Sequence, residues 1–441
     1  MNERMIVLEM LLEVTKQGAY SHIVARDVLN KYNYLPQQEK AFIKRLFEGT
    51  LERQIELDYC IDSFSKVKTD KLKAVILNIM RMGVYQILYM DSVPDAAACN
   101  EAVKLAQKKG FATLKGFVNG VLRNIARNKG NIKYPNLSVT YSMPEWIVDM
   151  WLEQLGGEKT RRVLAGLLEE KPVTVRLRNG VGIESIAENA QAHQYLPYAY
   201  KIYRTDDITR LNGYENGDFA VQDISSMLAV EAVGIGSLAK GRGLPLKVID
   251  MCAAPGGKAM LIADILEREG VGDYEIKAFD LSESKTAVMR ENFTRCGLDG
   301  HISAEVRNSL EFDESLEGAA DIVEADLPCS GLGVIGKKRD IKYKQSPENI
   351  RELIRLQEEL LRIAVKYLRK GGRLLFSTCT INRDENERHF EFIRDELKMT
   401  PVSLNENLPD SLHSDTTSKG YLQLLPGIHD ADGFFISVFE K

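Results

Sequence analysis

From Leu246 onward, short apolar runs alternate with amphipathic ones, and this constrains the fold more than any other feature of the chain. Leu246–Met251, Tyr274–Phe279, Ile302–Val306, Ala320–Ala325, Arg373–Ser377 and Gly433–Phe439 have the length and apolar content of strands. Lys258–Arg268, Ser282–Cys296, Pro347–Leu368 and Asp384–Leu397 have helical spacing, and Gly371-Gly372 closes the longest of them. Strand and helix in alternation predict a parallel sheet. Sheets of that kind bind ligands at their carboxyl edge.

The residues at that edge carry the chemistry. The first strand runs into Met251-Cys252-Ala253-Ala254-Pro255-Gly256-Gly257-Lys258. Small residues at a strand-to-helix turn let backbone N–H groups approach a ligand, and the helix N-terminus favours a carboxylate. A Gly-Gly turn alone is common, but an octet followed by an acidic strand end, Asp280, is more specific. Asp280 is placed to bind ribose hydroxyls; as a cap for the next helix it is inferior to Ser282. Two cysteines also follow strand ends: Cys329 in Asp326-Leu327-Pro328-Cys329-Ser330, and Cys379 in Ser377-Thr378-Cys379-Thr380. Cys60, Cys99 and Cys296 sit at helical core spacing and read as small buried hydrophobes.

The remaining sequence bounds the problem. At 441 residues, roughly three domains are expected. No apolar run reaches the ~20 residues needed to span a bilayer. Glu3 and Glu9 interrupt the apolar N-terminus, which reads as an amphipathic helix, not a signal peptide. Six scattered cysteines without a CxxC fit a reducing cytoplasm. The six histidines lack ligand spacing, so no metal is expected.

Net charge is -5, yet cations cluster. Lys104, Lys108, Lys109, Lys115, Arg123, Arg127, Lys129 and Lys133 form a run without an acid, and Lys337, Lys338, Arg339, Lys342 and Lys344 follow the Cys329 motif. Either run alone is more simply a solvated face; two of them favour RNA phosphate. The first ~135 residues read as helix throughout, including Lys71–Met90 and helices opening at Pro94-Asp95 and Phe117. Gly130–Leu137 reads as a linker. Tyr141–Val233 reads as a small α/β module, in which Arg176 and Arg178 share a strand face that could meet RNA or solvent. Ser411–Lys419 reads as a polar surface loop.

The octet, FAVQDISSML before it, and the Cys329 and Cys379 motifs together resemble the RsmB/NOP family of cytosine-C5 RNA methyltransferases from Leu246 to Lys441. The segment from VPDAAACNEAV to GFVNGVLRNI resembles the NusB-like RNA-binding domain. The resemblance implies a multi-domain chain: an all-α NusB-like domain over 1–135, a small α/β RRM-like RNA-binding module over 141–235, and a Rossmann-like class I methyltransferase domain over 236–441. The implied cofactor is S-adenosylmethionine, held by Cys252, Ala253, Ala254, Pro255, Gly256, Gly257, Lys258, Asp280, Asn308 and Asp326. The implied partner is 16S ribosomal RNA, and only the resemblance points to position 967. No membrane or metal partner is expected, and the chain is expected to be monomeric. In the implied mechanism Cys379 adds to C6 of a flipped cytosine, Asp326 hydrogen-bonds N3 and the amino group, and Cys329 serves product release. Lys258 supports the loop. Asn308 replaces the family's usual Asp, and Leu327 its usual Ala. Two other readings stay open. A DNA cytosine-C5 methyltransferase would place its nucleophile at Cys329, and a silent RNA-binding scaffold would need only the helical domain.

Overall fold

The computed structural model describes residues 2–186, 190–203, 208–240 and 245–441. They form two compact units, Met1–Glu169 with Ile335–Lys344, and Glu170–Val334 with Gln345–Lys441.

The first unit is helical. Its central helix, Ala74–Tyr89, is buried on most of its circumference, as its wide apolar stripe requires. Helices Glu3–Gln17, Gln37–Glu52, Gln54–Phe64, Asp95–Lys108 and Lys115–Asn128 share one core with it, built from residues such as Leu11, Phe47, Ile61, Ile79 and Leu122. Polar groups on the central helix are paired: Arg81 with Asp58 at 2.6 Å and Asn78 with Thr15 at 3.0 Å. Helices Glu145–Leu155 and Gly157–Gly166 also fold with this unit, whereas the sequence pattern groups them with the α/β module.

The second unit holds two sheets. Strands β1 (Val173–Leu177), β2 (Ala190–Ala192), β3 (Ala199–Ile202) and β4 (Phe219–Val221) form an antiparallel sheet in the order β2-β3-β1-β4. The larger sheet comprises β5 (Leu246–Asp250), β6 (Tyr274–Asp280), β7 (Ile302–Val306), β8 (Ala320–Asp326), β9 (Leu368–Thr378), β10 (Thr400–Pro401), β11 (Tyr421–Leu424) and β12 (Phe434–Glu440). Its order is β10-β12-β9-β8-β5-β6-β7, with β11 on β12. Strands β5 to β9 are parallel to their neighbours, and β12 returns antiparallel to β9. One core cluster contains Met227, Leu228 and Ile262; another contains Leu360, Leu361 and Phe390. This is a Rossmann-like sheet covered on both faces, and its carboxyl edge gathers the ends of β5, β6, β8 and β9.

Four expectations are corrected here. Arg176 and Arg178 do not face RNA: Arg176 is fully buried and paired with Asp264, and Arg178 lies 2.8 Å from the same carboxylate. The second basic run is largely consumed inside the helical unit. Arg339 pairs with Glu48 at 2.8 Å and Glu52 at 3.1 Å, and Lys344 with Asp340 at 2.9 Å. Lys342 is buried, donating to the carbonyls of Glu52 at 2.7 Å and Ser142 at 2.5 Å, and burial pushes its pKa down to about 7. Gly371-Gly372 does not follow a helix but lies inside β9, next to a register irregularity opposite Ala320 and Ile322. The Ser411–Lys419 segment is partly ordered by a short helix, Asp415–Ser418, with a capping box from Ser414 and a buried Thr417.

The first basic run is mixed. Lys104 pairs with Glu101 at 2.7 Å, Lys129 with Asp95 at 3.0 Å, and Lys109 with Glu9. Lys108, Lys115, Arg123, Arg127 and Lys133 are exposed and have no carboxylate partner among the described residues.

Candidate active site

The loop after β5 is built on close contacts. Ala253 N–H donates to Phe279 O at 2.8 Å, tying the loop to β6, and Asn292 Nδ2 donates to Pro255 O at 3.1 Å. Gly256 has φ +97°, and a Cβ there would lie 2.6 Å from the Phe293 ring. Only glycine satisfies both conditions. The helix Gly257–Arg268 starts directly after it without a side-chain cap, which leaves first-turn N–H groups available to an anionic ligand.

At the end of β6, Asp280 is largely buried. Its Oδ1 accepts Ser282 N–H at 3.0 Å, and Oδ2 lies 3.7 Å from Lys285 Nζ. Asp280 therefore both fixes the turn and keeps a carboxylate oxygen at the edge. Ser282 caps the following helix, accepting from Lys285 N–H. Asn308 follows β7, and its amide is engaged locally: Oδ1 accepts Leu310 N–H at 3.2 Å and Nδ2 donates to Glu311 at 3.2 Å.

The ends of β8 and β9 meet most closely. Asp326 stands in register with Ser377, whose hydroxyl donates to Asp326 Oδ1 at 3.0 Å. Lys258 pairs with Asp326, and its Nζ lies 3.4 Å from Glu324 Oε1. Burial alone would lower the Lys258 pKa, but Asp326, Glu324 and Asp250 outweigh it and hold the ammonium charged. Leu327 is buried, and its N–H donates to Ser377 O at 3.1 Å.

Cys329 Sγ and Cys379 Sγ lie 3.3 Å apart, both half-buried. The hydrogen bond to Cys379, and then burial, push the Cys329 thiol well above its ordinary value. Cys329 is therefore held as a neutral thiol. Burial, followed by the charge of Asp250, likewise keeps Cys252 a neutral thiol.

A polar clamp holds the two thiol loops, and sequence reasoning missed it. Glu385 is fully buried; it accepts Ser330 N–H at 2.8 Å, Ser330 Oγ at 2.5 Å, Asn382 Nδ2 at 2.9 Å and Gln357 Nε2 at 3.2 Å. Thr380 Oγ1 lies 2.6 Å from Ser330 Oγ, and Gly333 N–H donates to Cys379 O at 3.1 Å. At Gly333 a Cβ would stand 1.9 Å from Gly433 O, so the Cys329 loop packs against the chain entering β12 only because that position lacks a side chain. Asn386 receives Thr378 Oγ1 at 2.5 Å and donates to Thr380 O at 3.1 Å. The sequence signal was the polar Asn382–Asn386 run directly after a strand end, where a helix would normally begin with apolar spacing.

Two family descriptions match the chain: 16S rRNA methyltransferase RsmB/F over residues 245–440, and the NusB family over residues 1–127. A probable ribosomal RNA small subunit methyltransferase B of Bacillus subtilis is 32% identical over 99% of this chain and 98% of its own length. Among solved structures, that of PH0851 superposes with a TM-score of 0.78 at 21% identity, covering 99% of this chain and 97% of its own. The structure of NSun6 from Pyrococcus horikoshii with SFG gives 0.54 at 19% identity, covering 68% of this chain and 98% of its own. These two likenesses concern the fold.

Proposed function

The chain belongs to the ribosomal RNA small subunit methyltransferase B family, and from that we propose that it methylates C5 of a cytosine in 16S ribosomal RNA, using S-adenosylmethionine and a covalent Cys379 adduct. The observation that carries the reading is the sulfur pair, 3.3 Å apart beside the Lys258–Asp326 ion pair at the carboxyl edge.

The residues present fit S-adenosylmethionine. The uncapped helix start at Gly257 suits its carboxylate and the Asp280 carboxylate its ribose hydroxyls, with Cys252–Lys258 lining the turn. Asn308 would have to exchange its bond to Glu311 for one to adenine, and Asp326 ends β8 beside Ser377. When bound, this cofactor supplies an electrophilic methyl group.

The chain's own residues do the rest. C5 of cytosine is not nucleophilic until something adds at C6. Cys379 Sγ forms the bond to C6, and the displaced electron pair makes C5 a nucleophile. Asp326 hydrogen-bonds N3 and the exocyclic amine, which favours that addition. After methylation the C5 proton leaves, C5=C6 re-forms and Cys379 is expelled. Cys329, which carries a proton 3.3 Å away, is placed to return one to the departing sulfur. In this assignment residues 1–135 form the RNA-binding helical domain, 141–235 the small module and 236–441 the catalytic domain.

The test uses both thiols. Cys379→Ala should lose methylation and form no covalent RNA adduct. Cys329→Ala should stop turnover but accumulate an adduct that survives denaturing electrophoresis. An adduct in Cys379→Ala that is missing from Cys329→Ala would reverse the roles and favour the chemistry of DNA cytosine-C5 enzymes.

A further inference from the structure

On the reading of the site given above, we propose that Asp250 and Glu324 form a buried proton store that Lys258 connects to Asp326. Glu324 is then a positioning residue for acid–base chemistry at the cytosine ring.

Strands β5 and β8 are neighbours in the middle of the parallel sheet, where side chains are normally apolar. They bring Asp250 and Glu324 into register. Both side chains are fully buried, and among the described residues none of their four oxygens accepts a hydrogen bond. Two ionised carboxylates in that position would repel each other with only the Lys258 ammonium, 3.4 Å from Glu324, to offset their desolvation. A single proton shared between them turns one acceptor into a donor and removes one charge.

The surroundings agree with that count. Opposite Asp250 on β6 stands Ala278, and opposite Glu324 on β9 stands Leu375. The Phe434 ring of β12 lies 5.9 Å from Lys258 Nζ. The charged groups facing the pair are Lys258, 3.4 Å from Glu324, and Asp326 beyond it, with the neutral Cys252 thiol nearby. Three carboxylates thus share one ammonium. Burial first, and the Glu324 charge second, raise Asp250 well above the usual carboxylate range, consistent with a retained proton.

The proton has a use. As Cys379 Sγ bonds to C6, ring electron density moves toward N3, which must take up a proton. A proton passes from Lys258 through the paired Asp326 carboxylate to N3. Lys258 is in turn resupplied by the Asp250–Glu324 pair, so Lys258 and Asp326 end with their charges unchanged. At elimination the C5–H electron pair re-forms C5=C6 and the C6–S pair returns to Cys379. The C5 proton leaves to water, and the N3 proton returns to the store.

Infrared spectra of the full-length protein without RNA read the store directly. Wild type at neutral pH should show the carbonyl stretch of a protonated carboxyl group, lost in the double variant Asp250→Asn/Glu324→Gln, which removes both members of the pair. The same variant should bind RNA with unchanged KM but turn over on the order of 100-fold more slowly, the lower end of what general acid–base catalysis contributes. Wild-type kcat should fall at alkaline pH as the store empties, whereas the variant's should not follow that limb. No protonated-carboxyl band in wild type, or a variant with the wild-type pH profile, overturns the proposal while leaving C5 methylation standing. A wild-type protein that shows the band but methylates no C5 overturns the reading of the site, and with it this use of the store.

Discussion

Cys329 and Cys379 are two half-buried thiols that follow strand ends. Their separation of 3.3 Å makes them one hydrogen-bonded pair, and the contact together with burial raises the Cys329 thiol pKa. The sequence identified both, because a reactive residue type after a strand end is visible in a linear reading. It could not find Glu385 or Glu324, whose significance depends on what faces them: four donors in one case, an opposed carboxylate in the other. Asp280 is the residue whose role is most easily measured. One of its oxygens accepts Ser282 N–H and the other lies 3.7 Å from Lys285 Nζ, and both keep lone pairs for a ribose. Asp280→Ala should weaken S-adenosylmethionine binding by about 1–3 kcal/mol, the scale of a charge-assisted hydrogen bond. Calorimetry giving unchanged affinity would remove Asp280 from the cofactor site.

Elements explain why the first basic run leaves most of its cations exposed while the second keeps only Lys337 and Lys338 so. Arg339, Lys342 and Lys344 pack against the helical unit, where Glu48, Glu52 and Asp340 or main-chain carbonyls satisfy them. Charge spacing along the chain could not reveal this, because most of the partners lie far away in sequence. Arg176 escapes a linear reading for the same reason: strand alternation sets its face, but Asp264 on a distant helix makes that face a buried ion pair. On helix Lys115–Asn128, by contrast, Lys115, Arg123 and Arg127 are all exposed, with Lys108 at the end of the preceding helix. Charge reversal at Lys108 and Lys115 should weaken RNA binding and lower the slope of log affinity against log salt by about 1 for each phosphate no longer neutralised. A filter-binding series with an unchanged slope would make this surface a solvated face.

At the scale of the whole molecule, alternation of strand and helix foretold the Rossmann-like sheet, and the wide apolar stripes foretold the helical unit. Both patterns are local, and local patterns survive in a linear sequence. The division of the chain was less legible. Residues 335–344 interrupt the catalytic sequence yet fold with the helical unit, and helices between Glu145 and Gly166 do the same. Such membership is set by tertiary packing, which periodicity does not encode. Among the described residues no helix is long and apolar enough to cross a membrane. The central claim is that these units together methylate cytosine C5 in ribosomal RNA. Its most direct test is incubation of the full chain and S-adenosylmethionine with 16S ribosomal RNA from cells lacking this enzyme, followed by bisulfite mapping. The account requires one newly protected cytosine, absent with Cys379→Ala. Methyl incorporation without a protected cytosine, or protection that persists in Cys379→Ala, would contradict it.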